Sequence, residues 1–167
     1  MYRLIYENGY VIQTLEKGGY AVNSGKKAFN FHADGKPVFP YSTGGSVTEF
    51  VGRVVLKGDE DYAEVQSWAE VIYKPHGGSN RHYHHTRTEE YFIISGQAIV
   101  EIENTKHYLE AGEYLKILPG ERHQVVNVSQ NEALKIIVKC QPAWSEDDFH
   151  LTSELNGVAC EKKVAGL

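Results

Sequence analysis

The sequence predicts an all-β protein of the sandwich or barrel class. Many short apolar segments are rich in Val, Ile and Tyr, which favour strands. Gly, Asn, Asp or Pro separates these segments, as in chains that turn between strands, and no long helical periodicity is present. Short strands at regular spacing are typical of sandwiches and barrels. The predicted strands are RLIYE, YVIQTL, FVGRVVL, SWAEVIY, EYFIIS, QAIVEIE, YLKIL, QVVNV and LKIIVK.

The length of 167 residues favours a single domain, which we divide into three parts. Residues 51–145 hold most of the predicted strands and are expected to form the barrel. Residues 1–50 are an N-terminal extension expected to pack on the barrel, and its irregular portion, residues 18–45, supplies loops with one or two strands. Residues 146–167 are a C-terminal tail, and the capping-box pattern SEDD at residues 145–148 predicts a short helix there.

Charge and hydropathy argue against nucleic acid and membranes as partners. The formal net charge is -5, which is unfavourable for a polyanionic partner. The N-terminal MYRLIYENGY lacks the long apolar run of a signal peptide, and no apolar stretch approaches the roughly 20 residues that span a membrane. A cytoplasmic location is therefore expected. Cys140 and Cys160 form no CxxC pair, so both are expected to stay reduced thiols.

The segment RHYHHTRTEEYFIISG, residues 81–96, concentrates metal-ligand residue types directly before a predicted strand. Residues two apart in a strand point to the same face, so His82 and His84 are expected to face one way. Glu89 lies at the start of the following strand. If Glu89 faces the same interior as the two histidines, two imidazoles and one carboxylate can hold a divalent metal and leave positions open.

A fourth candidate ligand, His123, lies much later in the chain. It follows a Pro119-Gly120 turn and shares one face of a predicted strand with Val125 and Asn127. A barrel could bring His123 beside the first three candidates.

Together the two segments resemble the two-part signature of the cupins. The resemblance implies a double-stranded β-helix, that is, a jelly-roll barrel, with the N-terminal strands as an extension and the short helix after it. It also implies a divalent metal ion held by His82, His84, Glu89 and His123. The residues that carry the resemblance are His82, His84, Glu89 and Gly96 in the first part, and Gly112, Pro119, Gly120, His123 and Asn127 in the second.

Two positions depart from the pattern of the family, and neither is a ligand. His76 stands where a glycine is expected before the first histidine, and Leu118 stands where a proline is usual. The phrase HYHHTRTEEYFIISG also resembles the cupin domain attached to bifunctional mannose-6-phosphate isomerases. That likeness is local.

Several alternatives for the metal site remain open at the level of sequence. Glu90 competes with Glu89 as the carboxylate ligand, although its alternation and its spacing to Gly96 fit less well. The four ionisable residues could instead line a metal-free barrel, where each would need another partner. His85 is expected to face outward. The remaining histidines, expected in loops or at the surface, are His32, His76, His107 and His150.

Other polar residues near the motifs each have two open roles. The flanking arginines are either solvated loop charges or anchors for an anionic substrate. Asn127 either hydrogen-bonds near the site or stabilises a strand end, and Tyr91 either packs or lines the cavity. The flanking arginines are Arg81, Arg87 and Arg122.

The expected chemistry is metal-dependent and acts on a small organic molecule. Three neutral imidazoles and one carboxylate suit Fe, Mn, Ni, Zn or Cu as divalent ions. The absence of a clear general base beyond the ligands favours an oxygenase-type reaction. The basic residues beside the motif favour the alternative, a non-redox isomerase, epimerase or lyase acting on a sugar-like or phosphorylated substrate. A non-enzymatic module that binds a small ligand is the third hypothesis. A homodimer that pairs edge strands is expected.

Overall fold

The structure is a computed structural model. The longest range that it describes, residues 63–152, contains both motifs. Side chains are described for residues 3–16, 19–23 and 66–152. His32 and Cys160 lie outside the described residues. The described ranges are 3–16, 19–23, 28–31, 38–41, 45–57 and 63–152.

The described residues form strands and a single short 3-10 turn, Glu146–Asp148. In chain order the strands are β1 (Arg3–Ile5), β2 (Val11–Thr14), β3 (Tyr20–Asn23), β4 (Ala28–Phe31), β5 (Val38–Tyr41), β6 (Gly45–Lys57), β7 (Ala63–Tyr73), β8 (His82–Tyr83), β9 (Thr88–Ser95), β10 (Gln97–Ile102), β11 (Thr105–Glu110), β12 (Tyr114–Ile117), β13 (His123–Asn127), β14 (Leu134–Gln141) and β15 (His150–Leu151). They pair into three antiparallel sheets with the orders β1-β2-β3-β4, β11-β10-β13-β8-β15 and β12-β9-β14-β7-β6-β5.

The main core lies between the five-stranded and the six-stranded sheets. Strand β9 shows how it forms, because its side chains alternate between the two faces of its sheet. Tyr91 and Ile93 point into this core, where they meet Val100 and Val125 from the facing sheet. Phe92 points to the opposite face. The two facing antiparallel sheets confirm the predicted all-β jelly-roll barrel.

A second core joins the N-terminal sheet to the outer face of the six-stranded sheet. The ring of Tyr6 meets that of Phe92 edge-on at 5.0 Å between centroids, and the Tyr6 hydroxyl donates to the Ile93 carbonyl at 3.0 Å. The ring of Trp68 stacks on that of Phe92 at 5.9 Å between centroids. The described N-terminal strands therefore cover an apolar face of their own barrel. The bounds 1–50, 51–145 and 146–167 stay predictions.

Three local predictions differ from the structure. Residues 18–45 were expected to hold one or two strands, and the part of them that the structure describes holds three, β3, β4 and β5. Strand β11 was not predicted, because TKHYLE alternates exposed polar residues with half-buried ones at a sheet edge and contains no run of strand-forming residues. The prediction of a capping box is wrong, because Ser145 makes no capping hydrogen bond. Its hydroxyl instead accepts a hydrogen bond from the Arg87 guanidinium at 2.9 Å. The predicted helix is one 3-10 turn.

Within the described residues, no helix is long and apolar enough to cross a bilayer.

Gly96 lies in the turn between β9 and β10, where both its backbone conformation and a close contact require glycine. Gly120 has the same conformation without the contact, so a pair of variants distinguishes the two requirements. Gly96 has a φ of +87°, and a Cβ placed there would lie 2.8 Å from the Ala133 carbonyl oxygen. Gly120 has a φ of +86°, but a Cβ there would meet no atom within 4 Å. We expect Gly120→Ala to lower the free energy of unfolding by about 1–2 kcal/mol from backbone strain alone.

The free energy of unfolding is expected to fall by at least about 1 kcal/mol more in Gly96→Ala than in Gly120→Ala, because the added methyl group at residue 96 must displace backbone atoms. Urea denaturation of both variants measures the difference. Equal losses in the two variants would show that the close approach of Ala133 to Gly96 does not constrain this turn.

Candidate metal centre

Four buried side chains converge in the barrel interior. His82 comes from β8, His84 from the turn that follows, Glu89 from β9 and His123 from β13. One ligand atom from each residue lies within 4.8 Å of those of the other three. The sequence-predicted set is thus brought together in full.

The strand pairing explains how these side chains meet. Strand β13 pairs with β8 so that His123 stands directly opposite His82. In β9 the alternation turns Glu89 inward and Glu90 outward, where the Glu90 carboxylate accepts from Lys139 at 2.7 Å. Glu90 is therefore occupied on the other face of the sheet and does not belong to the cluster.

Each of the three histidines is oriented by a backbone carbonyl. The Nδ1 atom of His82 donates to the backbone carbonyl of Asn80 at 2.7 Å, and that of His123 donates to the backbone carbonyl of Glu121 at 2.8 Å. The Nδ1 atom of His84 donates to the Asp148 carbonyl. A carbonyl only accepts, so Nδ1 carries the proton and Nε2 of a neutral ring offers its lone pair. Such outer hydrogen bonds are typical of metal-ligating histidines.

The carboxylate of Glu89 lies against two of these Nε2 atoms. Its Oε2 is 2.9 Å from His123 Nε2, and its Oε1 is 3.2 Å from His84 Nε2. Lone pairs on nitrogen and a buried negative charge repel unless a proton or a cation lies between them. The donor set therefore fits a divalent cation, and the cluster is compatible with a metal ion.

The electrostatics of the cluster agree with this fit. Burial, with the neighbouring His123, lowers the pKa of His82 to about 3, so its ring is neutral at pH 7. Burial raises the pKa of Glu89, but His123 and His84, when their rings also carry a proton on Nε2, outweigh it and hold this pKa well below its usual value. Burial lowers the pKa of His84, but Glu89 outweighs it and leaves this pKa raised. A cation bound at this centre would displace the proton that Glu89 attracts, so binding would release protons.

Two further residues contact the carboxylate, and sequence reasoning did not assign this contact to either. The Tyr91 hydroxyl donates to Glu89 Oε2 at 3.1 Å, and the Cys140 thiol donates to Oε1 at 3.3 Å. Burial raises the pKa of both groups well above the usual values, so both keep their protons. Tyr91 follows Glu89 by two residues, so strand alternation places it on the same face. Cys140 reaches Glu89 only through the pairing of β14 with β9.

Removing the Tyr91 hydroxyl is expected to weaken metal binding. Tyr91→Phe takes away a donor that orients the Glu89 carboxylate, and such changes around a ligand typically cost about 10–100-fold in metal affinity. Competition with a chromophoric chelator measures the affinity for zinc. Tyr6→Phe is the matched control, because it removes a buried hydroxyl that donates to the Ile93 carbonyl, outside the site. Equal zinc affinities for Tyr91→Phe and the unmodified protein would contradict this role.

The three flanking arginines differ in burial. Arg81 and Arg87 are buried and paired with Glu101 and Asp148, so their interpretation as solvated loop charges is wrong. Arg122 is half-exposed and donates to Glu103 at 2.7 Å. A role in anchoring an anionic substrate stays a prediction.

The other predicted residues lie away from the four ligand atoms. His85 is exposed, and its ring meets that of His150 at 4.5 Å between centroids. His76 is exposed, as predicted, and His107 is half-buried. The Asn127 amide donates to three backbone carbonyls at 2.8–3.1 Å, so it stabilises a strand end.

Comparisons with known proteins agree with this architecture. The cupin domain family matches residues 69–139, which include all four clustered residues. An uncharacterized protein of Methanocaldococcus jannaschii, MJ1618, is 30% identical over 114 residues, which are 67% of this chain and 86% of that protein.

Solved structures with low sequence identity share the fold. Streptomyces PAC13 with uridine superposes with a TM-score of 0.57 at 12% identity, covering 77% of this chain and 93% of that one. Pac13 is described as a nucleoside dehydratase. An RmlC-like cupin from Shewanella frigidimarina superposes with a TM-score of 0.54 at 13% identity, covering 71% of this chain and 93% of that one. The family match identifies residues 69–139 of this chain as a cupin domain, and the solved structures share its barrel fold.

Proposed function

We propose that the protein is a metal-dependent enzyme that acts on a small organic molecule through an oxygenase-type reaction. The observation that carries the proposal is the convergence of three imidazoles and one carboxylate within 4.8 Å in the barrel interior. We assign His82, His84, Glu89 and His123 as the metal ligands. Bound iron would supply redox chemistry with dioxygen, since four protein donors leave coordination positions open on an ion that prefers six.

The residues of the chain contribute orientation and exclusion of water. Backbone carbonyls hold the three imidazoles with Nε2 facing the centre. Tyr91 and Cys140 hold the two oxygens of Glu89. All four proposed ligands are buried, and the apolar core of the barrel adjoins them, so electrostatic interactions at the centre are screened little by solvent.

The protonation states around Glu89 favour an oxygenase-type reaction over one that needs a protein base. Among the described residues, the titratable groups that hydrogen-bond to Glu89 besides the histidines are Tyr91 and Cys140. Both already donate a hydrogen bond, and both have a raised pKa, so neither is poised to take a proton from a substrate.

A non-redox isomerase, epimerase or lyase is the second candidate. The likeness in fold to Pac13, described as a nucleoside dehydratase, supports it. In that case the metal would polarise a carbonyl or hydroxyl group of a sugar-like substrate. The homodimer and the cytoplasmic location stay predictions.

The test compares metals and oxygen in one design. Purified protein is loaded without oxygen with Fe(II), Mn(II) or Zn(II) and offered a panel of small acids, enols and sugars. We expect oxygen uptake and substrate loss with Fe(II) only. Turnover with Mn(II) or Zn(II) in the absence of oxygen would replace the oxygenase by the second candidate. Ligand binding without turnover under every condition would overturn the enzymatic proposal in favour of a binding module.

A further inference from the structure

The segment of residues 145–152, which we call the strap, follows β14 and lies against the candidate metal centre. It contains the 3-10 turn Glu146–Asp148 and the short strand β15. Strand β15 pairs with β8, so that Leu151 stands opposite His82. The strap is distant from the first motif in sequence, yet it contacts two of its histidines.

Asp148 binds the loop that joins two proposed ligands, His84 and Glu89. Its carboxylate accepts from the backbone of His85 at 2.7 Å, from the hydroxyl of Thr86 at 2.8 Å and from Nε of Arg87 at 2.9 Å. Its backbone carbonyl accepts the Nδ1 proton of His84. One residue of the strap therefore holds both the loop backbone and the ring of a ligand.

Phe149, the next residue, packs on the histidine rings. Its ring centroid lies 4.6 Å from that of His82 and 5.9 Å from that of His84. The far end of the strap is also attached, because the Thr152 amide donates to the Arg81 carbonyl at 3.1 Å. Side-chain packing from the strap thus limits the rotation of both imidazoles, and a hydrogen bond further fixes that of His84.

We propose that Asp148 is a positioning residue for the metal ligands, and that docking of the strap and binding of a metal strengthen one another. The inference rests on the proposed metal site. A detached strap frees His84 to rotate and to carry its proton on either nitrogen, which weakens the metal-binding geometry. Because coupling between two equilibria is reciprocal, a bound metal must in turn favour the docked strap.

A purely structural role for the strap makes a different prediction. In that case the loss of Asp148 contacts lowers the stability of the barrel but leaves the metal affinity of the folded protein unchanged. Metal would also leave the local opening of the strap unchanged. Two readouts, zinc affinity and hydrogen exchange of the strap amides, therefore separate the two roles.

The principal variant is Asp148→Asn, which keeps the backbone carbonyl and the side-chain shape but loses the charge that pairs with Arg87. We expect its zinc affinity to fall by about 10-fold, the lower end of the range for outer partners of metal-ligating histidines, because the carboxylate acts on His84 through the loop while the carbonyl remains. Asp147→Asn is the matched control, because it is the same chemical change at an exposed position of the same turn. Its zinc affinity should equal that of the unmodified protein.

A second variant, Phe149→Leu, tests the strap without leaving a buried charge unpaired, and it decides the question if Asp148→Asn does not fold. We expect weaker zinc binding in this variant as well. In the unmodified protein, zinc should slow hydrogen exchange at the amides of Phe149 and Thr152, whose hydrogen bonds are to Glu146 and Arg81.

The outcomes are distinguishable from failure of the proposed function. If the unmodified protein binds no divalent metal, the proposed metal site itself fails. If it binds zinc, but the folded variants bind zinc equally well or the strap amides exchange at the same rate with and without zinc, only the coupling fails. Weaker binding in the variants together with zinc-dependent protection of the strap supports the coupling.

Discussion

Replacing His84 with alanine is expected to remove most of the bound metal while the barrel stays folded. The ring of His84 offers Nε2 to the cluster and is fixed by the Asp148 carbonyl. Loss of an outer partner alone typically costs about 10–100-fold in metal affinity, so we expect the loss of the ligand itself to cost at least about 100-fold. Metal per chain, measured by elemental analysis after dialysis, gives the result directly.

The neighbouring residue provides a close control for this experiment. His85→Ala removes the same imidazole one position further along, from an exposed residue that contacts Tyr83 and His150 and lies outside the cluster. His85→Ala should keep its full metal content, and both variants should keep the circular dichroism of the unmodified protein. Full metal content in a folded His84→Ala protein would remove His84 from the ligand set.

Breaking the ion pair between Lys139 and Glu90 is expected to have the largest effect on stability. The two charged atoms are 2.7 Å apart, and the side chains are only 5% and 10% exposed. The Lys139 ammonium also lies 5.4 Å from the centre of the Tyr10 ring. Lys139→Met leaves the Glu90 carboxylate buried without its partner, which typically costs about 3–5 kcal/mol of unfolding free energy.

A double variant tests whether the cost comes from the uncompensated charge. Burial lowers the pKa of Lys139, but the hydrogen bond and charge of Glu90 outweigh it and leave this pKa raised, so the lysine is charged at pH 7. Glu90→Leu with Lys139→Met removes both charges, and we expect stability close to that of the unmodified protein. Urea denaturation of the single and double variants gives the coupling energy.

The more exposed pair Arg122–Glu103, with side chains 42% and 41% exposed, is the comparison. Arg122→Met should cost about 1 kcal/mol or less, because water stabilises the remaining charge. A Lys139→Met protein that loses no more than Arg122→Met would contradict the importance of the buried pair.

Strand alternation accounts for most of what could be predicted about the site. A period of two is a property of the local backbone, so the common facing of His82 and His84 and the opposite facing of Glu89 and Glu90 can be predicted without any knowledge of the fold. That Glu89 is the glutamate that faces inward was favoured by its spacing to Gly96 and is seen only in the structure. The same period separates Glu90, on the outer face, from Glu89. The likeness to the cupin signature then placed His123, which no local rule relates to the first motif.

Other contacts of the site were not predictable, because their partners come from distant strands. Cys140 reaches Glu89 through the pairing of β14 with β9. Asp148 reaches His84 and Arg87 through a turn for which the sequence suggested only a capping box. The capping prediction was wrong because the Ser145 hydroxyl is used by Arg87, a residue that lies 58 positions earlier in the chain.

The sequence by itself determined the all-β class and the relative facing of residues within the two motifs, since these depend on residue type and short-range periodicity. Its likeness to the cupin signature added the set of four candidate ligands. Only the tertiary structure decided that the four ligand atoms meet, which carbonyls orient the imidazoles, and that the strap lies against them. The physical reason is the separation along the chain over which each feature is determined. Alternation follows from the geometry of a few consecutive peptide units, whereas these contacts exist only once the sheets have paired and the barrel has closed.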